Sequence, residues 1–197
     1  MVRRDQPTPG SLADLGPEAD PEQVARTIAL RRLEAAPRTR AELARTLAER
    51  GIAADVSDRV LDRFTEVGLI DDAAFAHQWV ESRHRGRALA RSVLRRELHQ
   101  RGVEPEVIDE AVESLDDDDE WVRAREFARR KIRIKAGEDS RKAVQRLAGQ
   151  LARKGYPAGV SFAVAREALA DALQEGQDDP IDELGAGVVI GDVPVDE

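Results

Sequence analysis

The chain contains no cysteine, which excludes disulfides, thiolate nucleophiles and cysteine-ligated metal sites. Aromatic residues make up only 4% of it, so a strand-rich core built on Phe, Tyr and Trp is not expected. Nowhere do 18 apolar residues follow one another, and no transmembrane helix is expected. The opening "MVRRDQPTPGSLADLG" has basic residues with no apolar stretch behind them, so no secretory signal is visible and a cytoplasmic protein is expected. The signatures of common enzymes are missing too: G-x-x-x-x-G-K-[ST], G-x-G-x-x-G after a strand, G-x-S-x-G and H-E-x-x-H are all absent. His77, His84 and His99 stand 7 and 15 residues apart, which is not a metal-ligand spacing. No catalytic residue, metal or cofactor is expected, and the chain does not read as an enzyme.

What is present favours helix. Ala, Leu, Arg and Glu abound, all good helix formers, and an apolar fraction of 41% supports a core. The formal charge of -8 over 197 residues is unevenly spread. Residues 21–175 hold 29 Lys+Arg against 28 Asp+Glu, residues 1–20 are net -2 and residues 176–197 net -7. The body is thus close to neutral, and the acidity sits mainly in a tail.

A weak internal repeat organises the body. "AELARTLAERGI", "RSVLRRELHQRGV" and "AVQRLAGQLARKGY" each carry two leucines four apart, then a glycine four residues on, then an apolar residue. The leucines are Leu43/Leu47, Leu94/Leu98 and Leu147/Leu151, and the glycines are Gly51, Gly102 and Gly155. This pattern predicts a helix with one apolar stripe, stopped by a left-handed glycine. Arg50, Arg101 and Lys154, just before the glycines, suit the negative end of a helix dipole.

A second helix follows each glycine, with apolar faces Val56/Val60/Leu61/Phe64, Val107/Ile108/Ala111/Val112/Leu115 and Val160/Val164/Ala168/Leu169; Phe162 fits less regularly. Pro105 and Pro157 fit helix starts. A further helix precedes each unit, at 21–35, about 72–84 and about 117–134, the first with Asp20 as N-cap and Pro21 at its first position.

The expected fold is therefore all-α: three tandem three-helix repeats at 21–70, 71–116 and 117–175, between a disordered N-terminal segment 1–20 and an acidic disordered tail 176–197. The "VVI" of that tail reads first as part of a solvated segment, with a docking motif as the alternative. The tail's acids would screen the basic residues of the body or simply aid solubility.

"GLIDDAAFAHQWVESRHRGR", residues 68–87, sets an acidic pair before an apolar-aromatic pattern and a basic end. Asp71 or Asp72 fits an N-cap, a contact worth about 1 kcal/mol, and Phe75 and Trp79 fall one turn apart. A catalytic reading would need a second acid, a base or a metal partner at sensible spacing. "DDDDE" at 116–120 likewise reads as a helix start, with a divalent-cation site as its weaker rival.

The basic residues form two clusters. Seven arginines lie between Arg83 and Arg101 with only Glu97 among them. Arg87, Arg91 and Arg95 recur every four residues, which predicts one face of a helix after Gly86. "RAREFARRKIRIK" adds a second cluster from Arg123 to Lys135. Beside the alternative of a solvated helix surface, they point to a surface for phosphates or an acidic protein face, with Arg83, Arg85, Arg87, Arg91, Arg95, Arg129, Arg130, Lys131, Arg133 and Lys135 as candidate contacts. With seven aromatics in all, base stacking is a minor theme and DNA contact would be backbone-directed.

"RTRAELARTLAERGI", "VLDRFTEVGLIDDAAFAHQWVESR" and "LRRELHQRGVEPEVIDEAV" resemble the RecX family, small bacterial regulators of the RecA recombinase. The similarity runs over roughly residues 25–172, and "PRTRAELA" and "GLIDDAAFA" look most like its actinobacterial branch. The resemblance implies an elongated, gently curved array of three-helix repeats. It also implies binding to RecA and to its filament on single-stranded DNA, with some members binding DNA directly. Lower recombinase ATPase, strand exchange and co-protease activity would follow, restraining recombination, DNA repair and the SOS response. No catalytic residue transfers. The rival reading is a stand-alone DNA-binding protein with helix-turn-helix-like modules.

Overall fold

The computed structural model describes residues 20–134 and 139–178. Nine helices follow one another among them: α1 (Pro21–Ala35), α2 (Arg40–Glu49), α3 (Ala54–Glu66), α4 (Asp72–Arg87), α5 (Arg91–Arg101), α6 (Pro105–Glu113), α7 (Asp117–Lys131), α8 (Ser140–Arg153) and α9 (Ala158–Asp178). No strand occurs among the described residues.

Local chemistry sets most of the boundaries. Asp20 accepts the Glu22 N–H with Pro21 at the first helical position, as expected. Thr39 and Glu42 form a reciprocal capping box at α2. Asp71, not Asp72, caps α4, accepting the Ala74 N–H at 2.8 Å, and Asp116 caps α7 through the Asp118 N–H. Gly51, Gly102 and Gly155 close their helices at φ of 76°, 78° and 94°, a region that costs other L-residues about 1–2 kcal/mol.

The principal helix pairings all stay within a triplet, α1–α3, α4–α6 or α7–α9. Three separate cores result. The first is built on Val24, Leu43, Leu47, Val60, Leu61 and Phe64. Phe75, Val80, Leu94, Leu98, Ile108 and Val112 form the second, and Phe127, Val144, Leu147, Leu151, Tyr156 and Val164 the third. All six repeat leucines are buried, so the amphipathic stripes point inward as expected.

Adjacent repeats meet at joints that reuse one contact. Gly102 ends α5 where an added Cβ would overlap that of Ala41 in the first turn of α2. Gly155, after α8, would likewise meet Ser92 and Val93 in the first turn of α5, at 2.6 Å. Each helix end is then bonded to the preceding repeat. Thr39 Oγ1 donates to the Arg101 carbonyl at 2.8 Å, the Ala90 N–H to the Lys154 carbonyl at 2.9 Å, and Ser92 Oγ to the Gly155 carbonyl at 2.7 Å. Gly51, the equivalent glycine of the first repeat, faces open space among the described residues.

Several expectations need correcting. The helix expected at about 72–84 continues to Arg87, and the one expected at about 117–134 ends at Lys131. Arg87, Arg91 and Arg95 do not share a helix: the chain breaks between α4 and α5, where Ala88 is left-handed at φ 49°. The cause is tertiary, because Ala88 and Ala90 are drawn into the third core. Phe162 points outward and is 42% exposed. The terminal segments read as disordered lie outside the described residues except for Asp20 and 176–178, and 176–178 continue α9.

Candidate functional site

The joint between the second and third repeats gathers cations from three helix ends. Arg87 closes α4, Arg130 and Lys131 close α7, and Lys154 follows α8. Lys154 is only partly buried; its Nζ donates to the Arg87 carbonyl and sits 4.6 Å from the Phe127 ring centroid. Burial lowers the Lys154 pKa from its ordinary value, and the charges of Lys131, Arg87 and Arg130 lower it further. Lys154 is thus held within the influence of three like charges. Arg87, Arg130 and Lys131 are exposed, and no carboxylate pairs with any of the four among the described residues.

Helix C-termini with their outward carbonyls favour cations, which accounts for basic residues here one by one. It does not account for their convergence without a neutralising acid among the described residues. Such a cluster lowers its own repulsion when an anion enters, as phosphate oxygens would.

The other expected contacts are placed differently. Arg85 pairs with Glu81 at 2.6 Å on its own helix, Arg95 with Asp109 at 3.0 Å, and Arg129 with Asp171 at 3.2 Å. These pairs are exposed and would exchange readily for another anion. Arg91 is half-buried, bonded to the Leu115 carbonyl and facing Glu120, so it serves the joint. Arg133 donates to the Ile132 carbonyl at 2.7 Å. Lys135 lies outside the described residues.

Arg83 stacks on Trp79, 4.0 Å from its ring centroid, and Arg101 stacks on the same ring at 3.8 Å. Trp79 donates to Glu97 at 2.8 Å, and Arg101 pairs with Glu42 across the first joint. This stack borders a surface hollow of about 430 Å³ with Pro37, Arg38 and Phe75.

Two residues carry roles that sequence reasoning missed. Lys154 was expected only to complement a helix dipole, yet it is the centre of the cationic joint; its partner Arg87 is 67 residues away. Its repeat equivalent, Arg101, also engages the preceding repeat, and that parallel was the available signal. Asp72 accepts the Arg40 N–H at 2.9 Å across the first joint; burial raises its pKa, partly opposed by that bond. The "DDDDE" run supplies Asp116 as cap and Glu120 as acceptor for the Arg91 N–H. Among the described residues no group of His, Asp and Glu is placed to hold a metal, and no helix is long and apolar enough to cross a membrane.

Residues 25–64, 71–112 and 117–164 match the first, second and third three-helix domains of RecX. The chain belongs to the RecX family. Relatives named Regulatory protein RecX include that of Streptomyces coelicolor, 50% identical over 172 residues covering 87% of this chain and 90% of the relative. The one from Mycobacterium ulcerans is 46% identical, covering 78% and 89%. The fold agrees with the crystal structure of RecX from Lactobacillus salivarius at a TM-score of 0.69 and 18% identity, covering 77% of this chain and 98% of the other. RecX proteins are regulatory and non-enzymatic. In RecX terms the cationic cluster bridges the second and third domains.

Proposed function

We propose that this RecX protein binds the RecA recombinase and its filament on single-stranded DNA, in the cytoplasm, and lowers its ATPase, strand-exchange and co-protease activities. Recombination, DNA repair and the SOS response are restrained as a result. The observation that carries this reading is the convergence of Arg87, Arg130, Lys131 and Lys154, with no carboxylate partner among the described residues, in a chain of three jointed RecX domains. Tandem units touch successive subunits of a filament, so that modest contacts add through effective concentration. The joint takes phosphates or acidic side chains of that assembly, and the exposed Arg85, Arg95 and Arg129 supplement it by exchanging their intramolecular partners. Arg83, Arg91 and Arg133 remain secondary candidates, as does Lys135.

Recombinase ATPase on single-stranded DNA, titrated with the wild-type chain and with a variant carrying Arg87→Glu, Arg130→Glu and Lys131→Glu, tests this. The three side chains are exposed, so helicity should be unchanged while inhibition is lost at matched concentration. Full inhibition by the variant would remove the site. Stand-alone DNA binding predicts instead that naked duplex is bound as tightly as the coated strand.

A further inference from the structure

The third repeat carries an open apolar groove. It lies between α8 and α9, has a volume of about 360 Å³, and is walled by Val144, Phe162 and Leu169 with Arg141 and Arg166 at its rim. Phe162 is 42% exposed there, and Leu173, further along α9, 47%. Val144, Phe162 and Leu169 present their apolar surface together along this groove rather than scattered singly, the arrangement that marks an interaction site. The two rim arginines have no carboxylate partner among the described residues; Arg166 Nε donates to the Phe162 carbonyl of its own helix at 3.2 Å.

The chain itself contains a complementary segment. Beyond Asp178 the sequence runs DPIDELGAGVVIGDVPVDE, with Val188, Val189 and Ile190 as its one continuous apolar triplet and no Lys or Arg. Asp182 and Glu183 precede the triplet and Asp192 follows it. Reach is sufficient. Leu169 and Phe162 lie 9 and 16 residues before the end of α9, or about 14–24 Å back along the helix at 1.5 Å per residue. Val189 lies 11 residues beyond that end, an extended reach of about 36–40 Å.

We propose that the triplet Val188–Ile190 folds back into the α8–α9 groove of its own chain, covering Phe162, with the flanking acids against Arg141 and Arg166. Tethering favours the chain's own tail over that of a second copy, because the local concentration is on the order of millimolar. The inference does not depend on the reading of the cationic joint.

The absence of cysteine makes the test direct. Full-length chains carrying Gln145→Cys with Val189→Cys are compared with chains carrying Glu126→Cys with Val189→Cys, under slow oxidation at low protein concentration. Gln145 is exposed and borders the groove, whereas Glu126 is exposed on α7, so neither change disturbs a core. The groove pair should form an intrachain disulfide about tenfold faster or more, reflecting its effective concentration. Adding Arg141→Glu and Arg166→Glu should remove most of that advantage. Equal rates for the two pairs would overturn the proposal. A groove pair that links chains to one another would overturn it in favour of docking between copies.

Discussion

At the residue scale, one glycine position does two different jobs depending on its place in the array. Gly51, Gly102 and Gly155 all need a positive φ, but only the last two touch a preceding repeat. Gly51→Ala should therefore cost about 1–2 kcal/mol from backbone conformation alone. Gly102→Ala and Gly155→Ala should lose a further ~1–3 kcal/mol through steric overlap, because the new methyl would meet Ala41 in one case and Ser92 and Val93 in the other. Urea unfolding of the three variants checks this ordering; equal losses would show that the joints are not tight. Lys154 supplies a second prediction. Its pKa is lowered below the ordinary 10.5 by burial and by Lys131, Arg87 and Arg130. The unfolded chain then binds that proton more tightly, so stability rises with pH from the folded pKa up to about 10.5. As pH rises toward 10.5 the wild type should gain stability relative to Lys154→Gln. A difference that stays flat across that range would mean the lysine is not under electrostatic strain.

At the element scale, the separation of the cores predicts separate responses to damage. Leu47, Leu98 and Leu151 are fully buried, one in each core, and Leu→Ala at such sites typically costs about 2–5 kcal/mol. Each substitution should lower amide protection most in its own triplet, with a smaller effect on the neighbour through the joint. Hydrogen exchange resolves this, and uniform loss across all nine helices would instead show a single cooperative unit. The same separation explains what could be read in advance. Helix order, the leucine stripes and the glycine stops depend on contacts within about four residues, and those were legible. The break between α4 and α5 was not, because Ala88 turns left-handed to enter the core of the following repeat. Nothing in "RGRALAR" signals that destination, so the period-four arginines resembled one helix face. The cationic joint was legible as composition in Arg87, Arg130 and Lys131, but its assembly around Lys154 required the long-range packing of α4, α7 and α8.

At the scale of the whole molecule, charge placement matters more than charge sum. The chain is net -8, yet many of its arginines meet acids: Arg40 with Asp62, Arg59 with Glu22, Arg95 with Asp109, Arg125 with Glu167 and Arg129 with Asp171. Pairing of this kind mutes the long-range field, leaving the joint of the second and third repeats as a local positive centre. Such a surface should hold free DNA weakly and a multivalent filament well, because one cluster contributes few phosphate contacts while a row of subunits repeats them. Salt dependence separates the two terms. Each phosphate contact on a single strand contributes about -0.7 to the slope of log affinity against log salt. The variant with Arg87→Glu, Arg130→Glu and Lys131→Glu should thus bind the coated strand with a slope flatter by about 2, if the cluster meets phosphates directly. An unchanged slope with weakened binding would place the cluster against acidic side chains of the recombinase instead, in a more water-excluded contact that salt screens less. Fluorescence anisotropy across a salt series decides between these contacts, and strong binding to bare single strands would assign the protein's affinity to DNA rather than to the assembly.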